Sequence, residues 1–447
     1  MKAIYILGII FGIFLGVAFS VSLPLFFLIV GGVVLLLYGI YSYYYPERGF
    51  LAAIFFLPIR GISFFSIKVG DIILLVFLVS FFLDIIIHKK NFSFKTPLTL
   101  GIGVFILSVF LSFINTSHLF YGVVDLSRHL LSFTLFFVVV DVVKNRKMFQ
   151  NTIVAILGSA FVLSIFSIIG FFYAQVGVSS ILVRVVSSIV SLFDIVNAYA
   201  NFLLLPMFLC LSLFVFKKGR ARILSIVFFL FFLIALVFTF SRGGMLAFLV
   251  GLLIFSFLIK KKLLAKTVLY LFFIFGILSM FYSPLTIIDT FQEKIGLYEY
   301  RPYTATESRL YIWESGLEAF KAHPVIGIGL SNFLYDYDLY KLPTATGLAR
   351  QKNMLTPHNL FIRALAELGV IGFIVILYIL YKSFFIFLQN IKISEGSLRY
   401  YGIGLFCGYI ATFFQGLFID IFHFRHVWIL LGLGVALYTI NGFGGNS

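Results

Sequence analysis

Charge is what this sequence has least of. Asp, Glu, Lys and Arg make up 11% of its 447 residues and 62% are hydrophobic, whereas an average soluble domain is about one-quarter charged. With a mean hydropathy of +1.12, the chain has more apolar surface than a soluble fold can hide. Cysteine is nearly absent: Cys210 and Cys407 stand alone in apolar runs with no C-x-x-C pair, which removes a disulfide framework, a zinc site and dithiol redox chemistry. No clustered acidic pair stands out in the polar segments to hold a divalent ion. No metal and no cofactor is therefore expected. Nor is there a convincing internal repeat or a matched pair of acids within the apolar runs, as the paired halves of many secondary transporters show.

What the sequence does have is long apolar runs, such as Ile72 to Ile87, Gly101 to Ile114, Ile223 to Phe240 and Val268 to Tyr282. These approach or reach the length a helix needs to cross a ~30 Å hydrocarbon core, where a helix pairs its own backbone. The expected fold is an all-α polytopic membrane protein with about fourteen spans (12–14). They are placed near 3–21, 24–44, 49–66, 71–88, 97–114, 120–142, 149–173, 197–216, 223–240, 243–259, 267–284, 358–388, 400–419 and 427–443. The first run begins after Lys2 and is followed at once by a second, so it is retained as a span rather than read as a cleaved signal.

The formal charge of +16 invites a nucleic-acid reading, but its distribution excludes one. Clusters at Lys89/Lys90/Lys95, Lys144/Arg146/Lys147, Lys217/Lys218/Arg220/Arg222 and Lys260/Lys261/Lys262/Lys266 fall on alternate connections, which the positive-inside rule assigns to the cytoplasm. Both termini are then expected to be cytoplasmic. On that assignment 19 Lys and Arg face 4 Asp and Glu inside, and 14 face 13 outside, so topology accounts for nearly all of the excess.

The connections are short except residues 285–357, an outward loop of 73 residues, too long for a simple helix connection. Its seven tyrosines and Trp313 predict order, and Thr304 with Glu307 has the spacing of a capping box. Leu310, Trp313, Leu317 and Phe320 then recur at helical spacing with Arg309, Glu314, Glu318 and Lys321 on other faces. This predicts an amphipathic helix on the outer membrane surface or under the loop, stopped at His323-Pro324 and followed by a Gly327-Ile328-Gly329 turn.

Elsewhere the polar residues are few. Ser241-Arg242-Gly243-Gly244 separates two apolar spans on the outer side, where an arginine can meet phosphate or snorkel to headgroups. Arg184 precedes Asp194, Asn197 and Asn201. Asp125 and Arg128 have the i, i+3 spacing of an intrahelical ion pair. Asp420, His423, Arg425 and His426 crowd the last outward turn, with nothing to aim them at a metal.

The loop ends in Thr356-Pro357-His358-Asn359, then an apolar helix containing Arg363 and Gly369-Val370-Ile371-Gly372, in the pattern H-N-x9-G-x-x-G. With Arg309 and Trp313, the Pro324-x-x-Gly327-x-Gly329 turn, Asn332-Phe333 and the Ser241-Arg242-Gly243 turn, the ordered set over residues 184–372 resembles the O-antigen ligase and polymerase superfamily. The resemblance implies a metal-independent glycosyltransferase of the GT-C type, taking a glycan from a polyprenyl diphosphate carrier on the outer face of the bacterial cytoplasmic membrane. By motif position His358 matches the family's loop histidine, Arg309 its loop arginine and Arg242 the arginine of its S-R-G turn. Arg184 sits where many members carry an arginine ahead of an asparagine, although the intervening residues depart from the usual glycine and proline pattern.

The chemistry is coherent with that resemblance. A departing lipid diphosphate gains charge, which guanidinium holds bidentately without losing its own; Arg242 and Arg309 are the candidates. The acceptor hydroxyl needs a base, and imidazole, which ordinarily titrates near ~6.5, can serve; His358 is the candidate. Arg184, Asn359, Arg363 and Trp313 are the substrate-binding candidates. Residues 1–180 are expected to form N-terminal spans, 181–390 a ligase-like core and 391–447 the C-terminal spans. The expected partners are a polyprenyl diphosphate-linked glycan donor, a lipid A core or other glycan acceptor, and membrane lipids, but no nucleic acid. A ligase acting on lipid A core leads. A polymerase of O-antigen or exopolysaccharide shares the same leaving group, and a protein O-oligosaccharyltransferase and a multispanning transporter stand further back.

Overall fold

The computed structural model describes residues 23–59, 63–64, 67–175, 196–261, 266, 270, 305–340, 356–393 and 396–443. Helix dominates them, as backbone pairing in a hydrocarbon core requires. Six of the described helices are long and apolar enough to cross a membrane: Val69–Ile87, Leu119–Val142, Arg146–Ile169, Val196–Phe216, Arg220–Phe238 and Leu360–Lys392. The chain is an integral membrane protein. Of the fourteen expected spans, 3–21 and, apart from Tyr270, 267–284 lie outside the described residues.

Two compact units divide the chain. The first comprises Met1–Phe92 and Asn151–Ser159. In it α1 (Leu23–Tyr44) and α2 (Pro46–Phe56) pack on α3 (Val69–Ile87), and β1 (Ser63–Phe64) pairs antiparallel with β2 (Ile67–Lys68). This corrects the expected span 49–66. Its helix has 11 residues, about 16 Å at 1.5 Å per residue, roughly half of a ~30 Å core. Pro58 has no N–H with which to continue the ladder. At the other end of α3, the buried Asp84 is paired by Lys90 at 2.6 Å and His88 at 2.9 Å. Its own neighbouring turn satisfies this acid.

The second unit comprises Ser93–Gln150 and Ala160–Ser447. Its helices are α4 (Thr99–Ser112), α5 (Leu119–Val142), α6 (Arg146–Gln175, less the residues counted above), α7 (Val196–Phe216), α8 (Arg220–Phe238) and α9 (Arg242–Leu258). Then come α10 (Ala305–Ala322), α11 (Phe333–Tyr340), α12 (Leu360–Ile393), α13 (Gly396–Gln415) and α14 (Arg425–Tyr438). Helix α7 packs on α8, α9 and α13; α14 packs on α5; and α12 packs on α4, α10, α13 and α14. Gly404 and Gly408 let α13 approach α7 so closely that a Cβ on either would lie 3.1–3.2 Å from the Cα of Leu209 or Leu205. Such small-residue contacts substitute for a hydrophobic driving force between helices in lipid.

Within the long loop, α10 ends at Ala322 as the His323-Pro324 stop predicts, but it packs through a different face. Leu310 and Leu317 are 51% and 39% exposed, while Ile312, Ser315, Gly316 and Ala319 are buried. Small residues win this face because α10 lies close on α12: a Cβ on Gly316 would come within 2.6 Å of Ile362. Ile312 and Ala319 then join Ile328, Phe333, Tyr337 and Ala366 in one apolar core.

Helix α12 is broken at Gly369, whose φ of 64° and ψ of −164° are not helical. In a continuous helix Val370 and Ile371 would donate to Ala366 and Glu367. Instead Val370 N donates to Pro324 O at 2.8 Å and Ile371 N to Val325 O at 3.4 Å, while Ile328 N and Gly329 N donate to Ala366 O and Glu367 O at 3.0 Å. All four backbone groups freed by the break are taken by the 324–329 turn, so the kink and the turn satisfy each other. Glycine is required on both sides: Gly327 and Gly369 have positive φ, and a Cβ on either would lie within 2.5 Å of the opposing backbone.

Candidate functional site

The Ser241-Arg242-Gly243-Gly244 turn is the N-terminus of α9. Ser241 is its N-cap, the hydroxyl accepting from Gly244 N at 3.2 Å and donating to Asn197 Oδ1 at 2.7 Å. Gly244 is packed so closely on Ala200 that a Cβ would lie 2.7 Å from it. Asn197 is in turn held by Gln415, whose Nε2 donates to its carbonyl at 3.2 Å, and Asn201 bridges Gln415 at 3.1 Å and His426 at 2.8 Å. A buried amide in an apolar helix must find partners, and this chain of amides fixes where α9 begins and where half-buried Arg242 starts from.

The second arm is the N-terminus of α12. Asn359 is its N-cap, accepting through Oδ1 from Phe361 N at 2.9 Å and Ile362 N at 3.1 Å. Its Nδ2 donates to Leu417 O at 3.0 Å, and Leu360 N donates to Gly416 O at 2.8 Å. The helix is thereby tied to the 416–418 turn. Phe418 of that turn also abuts Gly243, where a Cβ would lie 3.0 Å from Phe418 Cβ. The two helix starts, and with them Arg242 and His358, therefore share one support. The first three amides of α12 are occupied by protein acceptors, which leaves anion binding at that helix start to side chains rather than backbone.

His358 has a φ of 45°, a left-handed backbone that costs a non-glycine residue about 1–3 kcal/mol unless its surroundings enforce it. They do: Asn359 is fixed on one side, and on the other the indole N–H of Trp313 donates to Pro357 O at 2.8 Å. The Thr356 hydroxyl lies 3.5 and 3.4 Å from the two ring nitrogens.

Trp313 sits on α10 one turn after Arg309, so Arg309 is on the same side of that helix. Burial holds the Arg309 guanidinium below its usual value, and the positive charge of Arg242 pushes it the same way. The two arginines are thus within electrical reach of each other. Among the described residues neither forms an ion pair with a carboxylate. Two like charges within reach of each other, neither paired with a carboxylate among the described residues, suit an anion that bears more than one charge.

Arg363 is placed otherwise. One turn into α12 it points into the protein, 14% exposed, where Nη2 meets Asp125 at 2.6 Å, Nε meets Glu367 at 2.8 Å and Nη1 meets Asp420. Asp420 is also bonded to His423 at 2.9 Å, and Asp125 reaches Arg128 at 3.4 Å, the intrahelical pair expected from spacing. Glu367 accepts in addition from Ser331 N at 2.9 Å, anchoring the end of the 324–332 segment. Burial pushes the Asp420 carboxyl up, but Arg363 and His423 beside it hold it well below the usual carboxylate range. A cavity of about 20 Å³ lies among His129, Arg363, Glu367 and Asp420. The arrangement spends the guanidinium on three acids of this chain.

Arg184 lies outside the described residues. Gln415 and Glu367 are positioning groups that the sequence reading did not single out. Their signal was available: each is a polar side chain in an apolar span, which is costly unless partnered.

Residues 226–377 match the family described as O-antigen ligase, an interval that contains Arg242, Arg309, Trp313 and His358. No curated protein matches the chain.

Proposed function

Since residues 226–377 match the family described as O-antigen ligase, we propose that the chain transfers a glycan from a polyprenyl diphosphate carrier to an acceptor sugar. The acceptor is most simply the lipid A core, at the outer face of a bacterial cytoplasmic membrane in which both termini are cytoplasmic. Residues 181–390 are the catalytic core of this proposal. The observation that carries it is the approach of Arg242 to Arg309 without a carboxylate partner among the described residues.

In the proposed reaction the acceptor hydroxyl oxygen attacks the anomeric carbon as the bond from that carbon to the diphosphate oxygen breaks. The bonding pair leaves with the diphosphate, whose growing charge Arg242 and Arg309 hold. The hydroxyl proton passes to His358. The arginines occupy the place of a metal as charge stabilisers, so the reaction is written as metal-independent. Polymerisation differs only in the acceptor, a second lipid-linked repeat.

The test is transfer of a polyprenyl-diphosphate glycan to a panel of acceptors by purified protein in EDTA, comparing wild type with His358→Ala and Arg309→Ala. Transfer by wild type alone is the expected result, and the acceptor that is glycosylated separates ligase from polymerase. Normal transfer by well-folded His358→Ala removes the base. No transfer by wild type to any acceptor removes the reaction, and uptake of a soluble solute into liposomes then becomes the reading to test.

A further inference from the structure

The half-buried Trp313 has one polar atom, and it is spent on the protein. Its indole N–H is 2.8 Å from the carbonyl of Pro357, the residue immediately before His358. On the far side the Asn359 side chain makes three hydrogen bonds, two to the α12 N-terminus and one to Leu417 O. Between these two clamps His358 stands at a φ of 45°, a conformation a histidine leaves when nothing enforces it. The clamp from Trp313 comes from α10 of the outward loop, whereas that from Asn359 lies within α12 and its neighbouring turn. Trp313 therefore couples the seating of the loop to the direction of the His358 ring.

We infer that Trp313 is a positioning residue, whose indole N–H holds the Pro357 carbonyl and so keeps His358 in the backbone conformation from which its imidazole takes the acceptor proton. This rests on the reading of His358 as the base. It moves Trp313 and Asn359 from the substrate-contacting role expected from sequence to a supporting one. It also ties arginine and base together, since Arg309 and Trp313 lie one turn apart on α10: the helix that brings the charge stabiliser also fixes the base. A small misplacement of a reacting group costs up to about a hundredfold in rate, so the loss of this one bond is read in kcat.

The experiment replaces Trp313 with benzothienylalanine, which keeps the shape of the bicycle and lacks only the N–H, and with Phe as a second variant. Each is made in wild type and in His358→Ala. Transfer from a polyprenyl-diphosphate glycan to lipid A core is followed, with added imidazole raising the residual rate of the His358→Ala proteins. The expected result is a fall in kcat of about 10- to 100-fold for the isostere, with donor KM within about twofold and the thermal midpoint unchanged. In His358→Ala the same replacement has no further effect, because there is no ring left to place. A normal kcat for the isostere overturns the proposal. So does an equal loss with and without His358, which would mean that Trp313 touches substrate. Normal transfer by His358→Ala alone overturns instead the base on which the proposal rests.

Discussion

Arg363→Gln separates a structural cation from a substrate-binding one. The guanidinium meets Asp125, Glu367 and Asp420 through three different nitrogens and is 14% exposed. Glutamine fills part of the space and offers two donors but no charge, leaving three buried carboxylates without their common counter-ion. Removing one partner of a buried ion pair costs about 3–5 kcal/mol, mostly from the uncompensated charge left behind. At about 2 °C per kcal/mol for a chain of this size, the thermal midpoint of the purified protein in detergent falls by roughly 6–10 °C. Trp428, fully buried and bonded to Phe422 O at 2.6 Å two residues from Asp420, makes intrinsic fluorescence a suitable probe. Adding Asp420→Asn to Arg363→Gln should recover part of the loss, because it removes one of the stranded charges. An unchanged midpoint together with a tenfold rise in donor KM would refute the reasoning and return Arg363 to the substrate.

Two other outcomes follow from the same geometry. Asp420 has a folded-state pKa held below the ordinary carboxylate value, so the stability it contributes is complete above about pH 4 and is lost as pH falls toward the folded value. Wild type and Asp420→Asn should therefore differ in thermal midpoint at pH 7 and converge in acid; a gap that widens in acid would contradict the sign. Gly369→Ala forces a Cβ to within 2.5 Å of Val325 at a φ of 64°, at a conformational cost of about 1–2 kcal/mol before the clash. The helix should then close its own ladder and expel the 324–329 turn, read as faster hydrogen exchange at Ile328 and Gly329. Unchanged protection of those two amides would show that the kink tolerates a side chain.

The membrane class was legible in the sequence because it depends on composition and local spacing. Scarce charge and long apolar runs fix an all-α membrane protein, the His323-Pro324 stop marks a helix end, and the ordered Arg242, Arg309 and His358 motifs carry the resemblance that the match over residues 226–377 supports. Local pattern misled where close packing set the outcome. Leu310 and Leu317 looked like the packing face of α10, yet Gly316 and Ala319 pack, since small residues allow the nearer approach to α12. The run 49–66 read as a span from its composition, yet Pro58 leaves its helix at 11 residues.

The remaining decisions belong to tertiary structure alone. Arg363 lies only five residues after His358 and reads as part of the same motif, but it is paired with Asp125 and Asp420, which are distant in sequence. Trp313 and Pro357 are 44 residues apart, and Arg242 and Arg309 come from different elements. Spacing along a chain determines which side chains share a helix face. Only packing determines which carbonyl an indole reaches, which acids spend a guanidinium, and which two cations come within electrical reach of each other.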